Sequence, residues 1–222
     1  MTPRGPWARP LGRALAAVLL TALFTAPLAG CAREAAPPPR PAAGAGAAVP
    51  QVPPVVSRVP TRDKVVFLAY EDGVGAGRDP RFVDLVRDRR LPVSLFLAGP
   101  GGGSLGELSA LGARVQNRTL TRALLPGLGH VEQHAEICGQ RDRVEARFGA
   151  APRLLHPPRG AYDADTLQAA AECGVDAIVL WRGPAGRLRP GDILGARAET
   201  TPGLLRRIER EGYEPAALED YL

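Results

Sequence analysis

Apolar and polar positions alternate between two periods along the chain from residue 64 onward, and the periods predict strands and helices in turn. Val65 to Tyr70 is a continuous apolar run, the mark of a parallel strand buried on both faces. Asp79-Pro80 follows as an N-cap with proline at the first helical position, and Phe82, Val83, Leu85 and Val86 then recur at helical spacing up to Arg90. Pro92 to Ala98 is a second strand, Gly99 to Gly106 a flexible Gly-rich loop, and Ala113 to Gln116 a short strand. A helix is predicted from about His130 to Phe148, stopped by Gly149. Arg153 to His156 is strand-like, Asp165 to Glu172 is helical, and Val175 to Trp181 and Asp192 to Ala196 are strands. Thr201-Pro202 opens a last helix that ends at Gly212. Strands alternating with helices imply an α/β fold on a parallel sheet, open or closed into a barrel.

The first 60 residues break this pattern. Arg4, Arg9 and Arg13 precede the apolar stretch Ala14 to Ala26, which is too short to remain as a membrane-spanning helix. Leu28-Ala29-Gly30-Cys31 then resembles the bacterial lipobox, in which the cysteine thiol is lipidated and becomes the mature N-terminus. Residues 1–30 are therefore read as a lipoprotein signal peptide. Residues 31–60 are read as the lipidated Cys31 followed by a tether rich in proline and alanine. The expected location is the extracytoplasmic face of the cell membrane, held by a lipid anchor. The folded domain is placed at 61–222.

Charge sharpens this division. The net charge of +5 lies entirely in the first 60 residues, because from Thr61 onward 22 basic residues balance 22 acidic ones. A neutral domain gives no electrostatic reason to expect a nucleic-acid partner. After Cys31 two cysteines remain, Cys138 and Cys173, a disulfide candidate in an exported protein.

In folds of this type chemistry gathers at the C-terminal ends of the strands. The segments there are Ala69-Tyr70-Glu71-Asp72-Gly73, Asn117-Arg118-Thr119-Leu120-Thr121-Arg122, Leu155-His156-Pro157-Pro158-Arg159-Gly160, Val179-Leu180-Trp181 and Gly191-Asp192-Ile193-Leu194-Gly195-Ala196-Arg197-Ala198. In order and spacing they resemble the five motifs of the NodB-homology polysaccharide deacetylases, the carbohydrate esterase 4-like family. The terminal pattern from Gly212 to Leu222 also resembles that family. The resemblance implies a distorted, incomplete (β/α) barrel. It also implies a catalytic Zn²⁺ or other divalent metal held by one Asp and two His, with an Asp base, an Arg that orients it, a Tyr whose backbone helps stabilise the oxyanion, and a His acid.

Carried over residue by residue, that chemistry is largely missing. The base position is Glu71, and Asp72 is the one matching metal ligand. Arg118 and Arg122 stand at the two ligand-histidine positions. His156 replaces the orienting Arg, Arg159 the Tyr, and Arg197 the acid His. A guanidinium is permanently charged and has no lone pair for a metal, so no cofactor is expected. Arg118 and Arg122 are instead expected to supply two fixed positive charges to the Glu71 and Asp72 carboxylates, and whether Arg118, Arg122 and Arg197 converge on Asp72 is a question the sequence leaves to the structure. Trp181, with Tyr70 and Tyr162, is a candidate lining for a sugar groove. His130 and His134 are i,i+4 neighbours read as surface histidines, with no third ligand nearby in sequence.

The expected function is a membrane-anchored, polysaccharide-deacetylase-like protein of the cell envelope, catalytically inactive and binding cell-wall glycan or a partner. One alternative is an active hydrolase of N-acetyl groups on peptidoglycan or another polysaccharide. Another is a metal-free hydrolase with Glu71 and His156 as acid and base. No sequence feature sets an oligomeric state.

Overall fold

The computed structural model describes residues 51–71 and 78–222. Cys31 and Asp72 lie outside the described residues. Among the described residues eight strands form one parallel sheet: β1 (Val55–Val56), β2 (Val65–Glu71), β3 (Ser94–Leu97), β4 (Arg114–Asn117), β5 (Leu154–Leu155), β6 (Ala177–Val179), β7 (Asp192–Ala196) and β8 (Glu214–Ala216). Their order is β1-β6-β5-β4-β3-β2-β7, with β8 added against the N-terminal half of β2. Single bridges, Arg58 to Asp192 and Arg182 to Leu194, bring the two edges of this series together. The barrel is thus closed by isolated contacts instead of a full ladder, which makes it the incomplete (β/α) barrel expected from the sequence.

Among the described residues five α-helices are interleaved: α1 (Pro80–Arg89), α2 (Leu105–Ala110), α3 (His130–Phe148), α4 (Ala164–Glu172) and α5 (Thr201–Arg210). Local chemistry sets their ends. Asp79 accepts a hydrogen bond from Arg81 N–H at 3.0 Å, with Pro80 at the first helical position. Asp163 and Thr166 form a reciprocal capping box on α4. Gly149, at φ +76°, ends α3 in the left-handed conformation that glycine adopts at little cost.

Alternate residues of β2 serve two cores. Val66, Leu68 and Tyr70 pack with Phe82, Val86, Leu204 and Ile208 of α1 and α5. Phe67 and Ala69 point the other way and pack with Phe96, Leu154, Val179 and Ile193. A fully buried side chain such as Phe82 contributes about 2–3 kcal/mol by removal from water. A third cluster joins Leu125, Ile137 and Leu155 to Ala169 and Val175, and so holds α3 and α4 together. The Cys138 and Cys173 sulfurs are bonded across the same helix pair, as the sequence suggested.

Three expectations need correction. The sheet takes in Val55–Val56 and buries Val59, so folded structure begins upstream of residue 61, inside the stretch read as tether. Proline-rich chain is extended, and an extended chain can dock on a sheet edge. The Gly-rich segment is only partly a loop, because Leu105 and Leu108 are buried one helical turn apart and begin α2. Tyr70 is 1% exposed and therefore lines no groove; its hydroxyl hydrogen-bonds Thr201 Oγ1 at 2.9 Å, and its ring lies 4.9 Å from that of Phe82.

Candidate functional site

The five motif segments follow the C-terminal ends of β2, β4, β5, β6 and β7, so the topology collects them on one rim. Asn117 anchors the second segment. Its side-chain N–H₂ donates to the Ile137 carbonyl on α3 at 2.8 Å, and its side-chain oxygen accepts from Thr119 N–H at 2.9 Å. Thr119 and Arg122 both have φ +67°. For β-branched Thr119 this is a strained conformation, held here by its surroundings. Glu136 pins the turn by accepting from Thr121 N–H at 2.9 Å and from Thr121 Oγ1 at 2.7 Å.

That turn delivers Arg118 to Glu71. A guanidinium nitrogen of Arg118 lies 2.8 Å from a Glu71 carboxylate oxygen, with the Arg118 side chain 9% exposed and that of Glu71 47% exposed. The other Glu71 oxygen faces His156 Nε2 at 3.9 Å. His156 Nδ1 lies 2.7 Å from the Val179 carbonyl, which can only accept, so Nδ1 carries the proton and Nε2 keeps its lone pair. The imidazole stacks on the Trp181 indole with ring centroids 3.3 Å apart. Phe96 closes the aromatic group, its ring 5.0 Å from that of Trp181.

Gly195 makes room for this stack. A Cβ there would lie 2.6 Å from the Trp181 indole, so a side chain at 195 would displace the ring that covers His156. Sequence reasoning did not single out Gly195, although a glycine inside a predicted strand is a readable sign of close approach.

Burial pushes the His156 imidazole down from 6.5 to about 4; the Val179 carbonyl opposes that shift and the Arg118 charge adds to it. The ring is therefore neutral at pH 7. Because the unfolded chain takes up the proton more readily, stability from this group is complete above about pH 6.5 and falls as pH drops toward about 4. His156→Gln is expected to remove roughly 2–3 kcal/mol of that pH dependence in urea titrations between pH 7 and 4. An unchanged pH slope would contradict this.

The remaining positions divide. Arg122, Arg159 and Arg197 are exposed. Arg159 sits at φ +60° within the turn Pro158–Gly160, and the Arg197 carbonyl accepts from Thr201 Oγ1 at 2.7 Å. Tyr162 is exposed at 38%. Convergence of the arginines on Asp72 lies outside the described residues, as Asp72 does. The described residues do not fit the divalent metal that the resemblance implies: the positions matching the ligand histidines hold the guanidiniums of Arg118 and Arg122, and Arg118 pairs with Glu71.

A model of the polysaccharide deacetylase family matches residues 58–178. An uncharacterized protein of Streptomyces coelicolor is 46% identical, over 96% of this chain and 98% of its own length. A chitooligosaccharide deacetylase of Bradyrhizobium is 27% identical, over 68% of this chain and 72% of its own. Among solved structures, a CE4 family pseudoenzyme from Bacillus anthracis has the same fold, with TM-score 0.67 and 16% identity over 76% of this chain and 69% of that one. A mutant of that pseudoenzyme with restored enzymatic activity has the same TM-score. This chain belongs to the polysaccharide deacetylase family.

Proposed function

We propose that this protein is a membrane-anchored, deacetylase-like component of the cell envelope that has lost catalysis and binds cell-wall glycan or a partner protein. The observation that carries this reading is the 2.8 Å pair between Arg118 and Glu71. It places a fixed positive charge at a ligand-histidine position and engages the carboxylate at the base position. A site of this composition has one metal-ligand match, Asp72, and two charges that oppose a dication. The solved pseudoenzyme of the same fold is a precedent for a family member without activity. What remains favours binding: Trp181, stacked on His156 beside the Glu71–Arg118 pair, offers aromatic surface suited to a sugar ring next to charged groups suited to hydroxyls. A metal-free hydrolase would need His156 open to substrate, whereas the residue is 4% exposed under Trp181.

Two arms of one experiment test location and binding. Cys31→Ser is expected to move the protein from the membrane fraction to the soluble fraction, because the thiol carries the anchor. The soluble form is then expected to co-sediment with purified peptidoglycan, and Trp181→Ala to weaken this at least about 10-fold, within the range of hot-spot aromatics. Persistence of the variant in salt-washed membranes would refute the anchor. Co-sedimentation indifferent to Trp181 would refute the groove.

A further inference from the structure

Arg159 and Arg197 stand on the rim outside the pair that Arg118 makes with Glu71. Both are exposed, and among the described residues neither guanidinium makes a hydrogen bond or an ion pair. Glu199 is two positions beyond Arg197, on the short turn Ala198–Thr200, and does not pair with it. The two arginines follow the ends of β5 and β7. β5 pairs with β6, and β7 reaches β6 through the bridge of Arg182 to Leu194, so both lie beside the end of β6, where Trp181 is half-buried.

Backbone geometry turns both toward that indole. Along β7, Ile193 packs in the same core as Trp181, and a Cβ on Gly195 would lie 2.6 Å from the ring. Arg197 is two positions further on and still extended, at φ −126° and ψ 143°, so its side chain leaves the chain on the same face as these two. On the β5 side, His156 stacks on the indole with ring centroids 3.3 Å apart. Three residues later Arg159 turns at φ +60°, a conformation that costs energy for any residue but glycine. A Cβ on the next residue, Gly160, would lie 3.5 Å from the side chain of Leu180, so this turn is seated against the neighbour of Trp181. The two guanidiniums thus flank one aromatic ring from adjacent strand ends.

We propose that Arg159 and Arg197 make the rim selective for an anionic glycan, one whose sugar ring lies against Trp181 while a carboxylate or phosphate on the chain is held by the two guanidiniums. This rests on the glycan-binding reading above and narrows it to a ligand class. A guanidinium matches the paired oxygens of either anion and stays charged at any working pH. The indole supplies the apolar surface that a ring face needs. A neutral chain of N-acetylglucosamine would take water from both cations without pairing them.

The test is calorimetric titration of the purified, untagged protein with chitohexaose and with the same oligosaccharide either phosphorylated or oxidised to carboxylates at its primary hydroxyls. At about 50 mM salt a charged form is expected to bind at least about 10-fold tighter than the neutral one, and about 500 mM salt is expected to erase most of that preference. The tighter of the two charged forms identifies the anion as phosphate or carboxylate. Arg159→Asn, chosen because asparagine tolerates the left-handed turn, and Arg197→Gln are each expected to weaken the charged ligand at least about 5-fold while leaving chitohexaose unchanged. Arg114→Gln makes the same change in net charge at the opposite end of β4 and is expected to alter neither. Circular dichroism checks that each variant keeps its helices. Chitohexaose bound as tightly as the charged forms would overturn the proposal and leave glycan binding standing. A preference that survives both rim variants, or that Arg114→Gln lowers equally, would also overturn it, since net charge and not this site would then be the cause. If none of these oligosaccharides binds, the proposal falls, and co-sedimentation with peptidoglycan decides separately whether the broader reading falls with it.

Discussion

Replacing Arg118 and Arg122 together by histidine is expected to raise the affinity of the rim for Zn²⁺ or Co²⁺ at least about 100-fold. Each substitution removes a permanent positive charge and adds a nitrogen lone pair. A unit charge about 4 Å from a dication is disfavoured by about 8 kcal/mol at an effective dielectric of about 20, so the stated floor already allows for arginines that swing aside. Arg118 has little freedom to do so, since its side chain is 9% exposed and paired with Glu71. Acetate release is expected to need Glu71→Asp and Arg197→His as well, because metal affinity alone restores neither the base nor the acid. No gain in metal affinity from the double substitution would contradict the view that these two arginines exclude the ion.

Removing the disulfide with Cys138→Ser and Cys173→Ser is expected to cost about 3–4 kcal/mol, on the chain-entropy account of closing a loop with a separation of 35 residues. For a domain of this size that corresponds to a fall in melting temperature on the order of 10 °C. The link crosses the interface between α3 and α4, where Cys173 is buried against Ala169 and Val175 beside Ile137. Serine at 173 therefore adds a buried hydroxyl to the lost cross-link. A shift below about 2 °C, read by thermal melting without reductant, would show that the packing of the third core suffices on its own.

Much of this architecture is legible in the sequence because its signals are local. The helix from His130 stops at Gly149, where a positive φ is needed, and β7 coincides with Asp192–Ala196. The spacing of the motif segments placed Glu71, Arg118, His156 and Trp181 on one rim, and the structure brings these four together. What escaped was tertiary. A strand buried on both faces, such as Val65–Glu71, hides which side each residue takes, so Tyr70 read as a groove residue until its neighbours were known. Val55–Val56 and Glu214–Ala216 are too short to show a period and owe their strand geometry to the strands they pair with. Glu172 lies 38 positions beyond His134, and only the packing of α3 on α4 makes them neighbours. The neutral state of His156 likewise depends on burial and on a carbonyl 23 positions away.

The proposed function requires a rim that releases no acetate. Its most direct test is acetate release from peptidoglycan and chitooligosaccharides by the purified, untagged protein, assayed with and without added Zn²⁺ or Co²⁺. The predicted result is acetate at the rate of the buffer control in every condition. Metal-dependent release of acetate that is abolished by Asp72→Ala would contradict it.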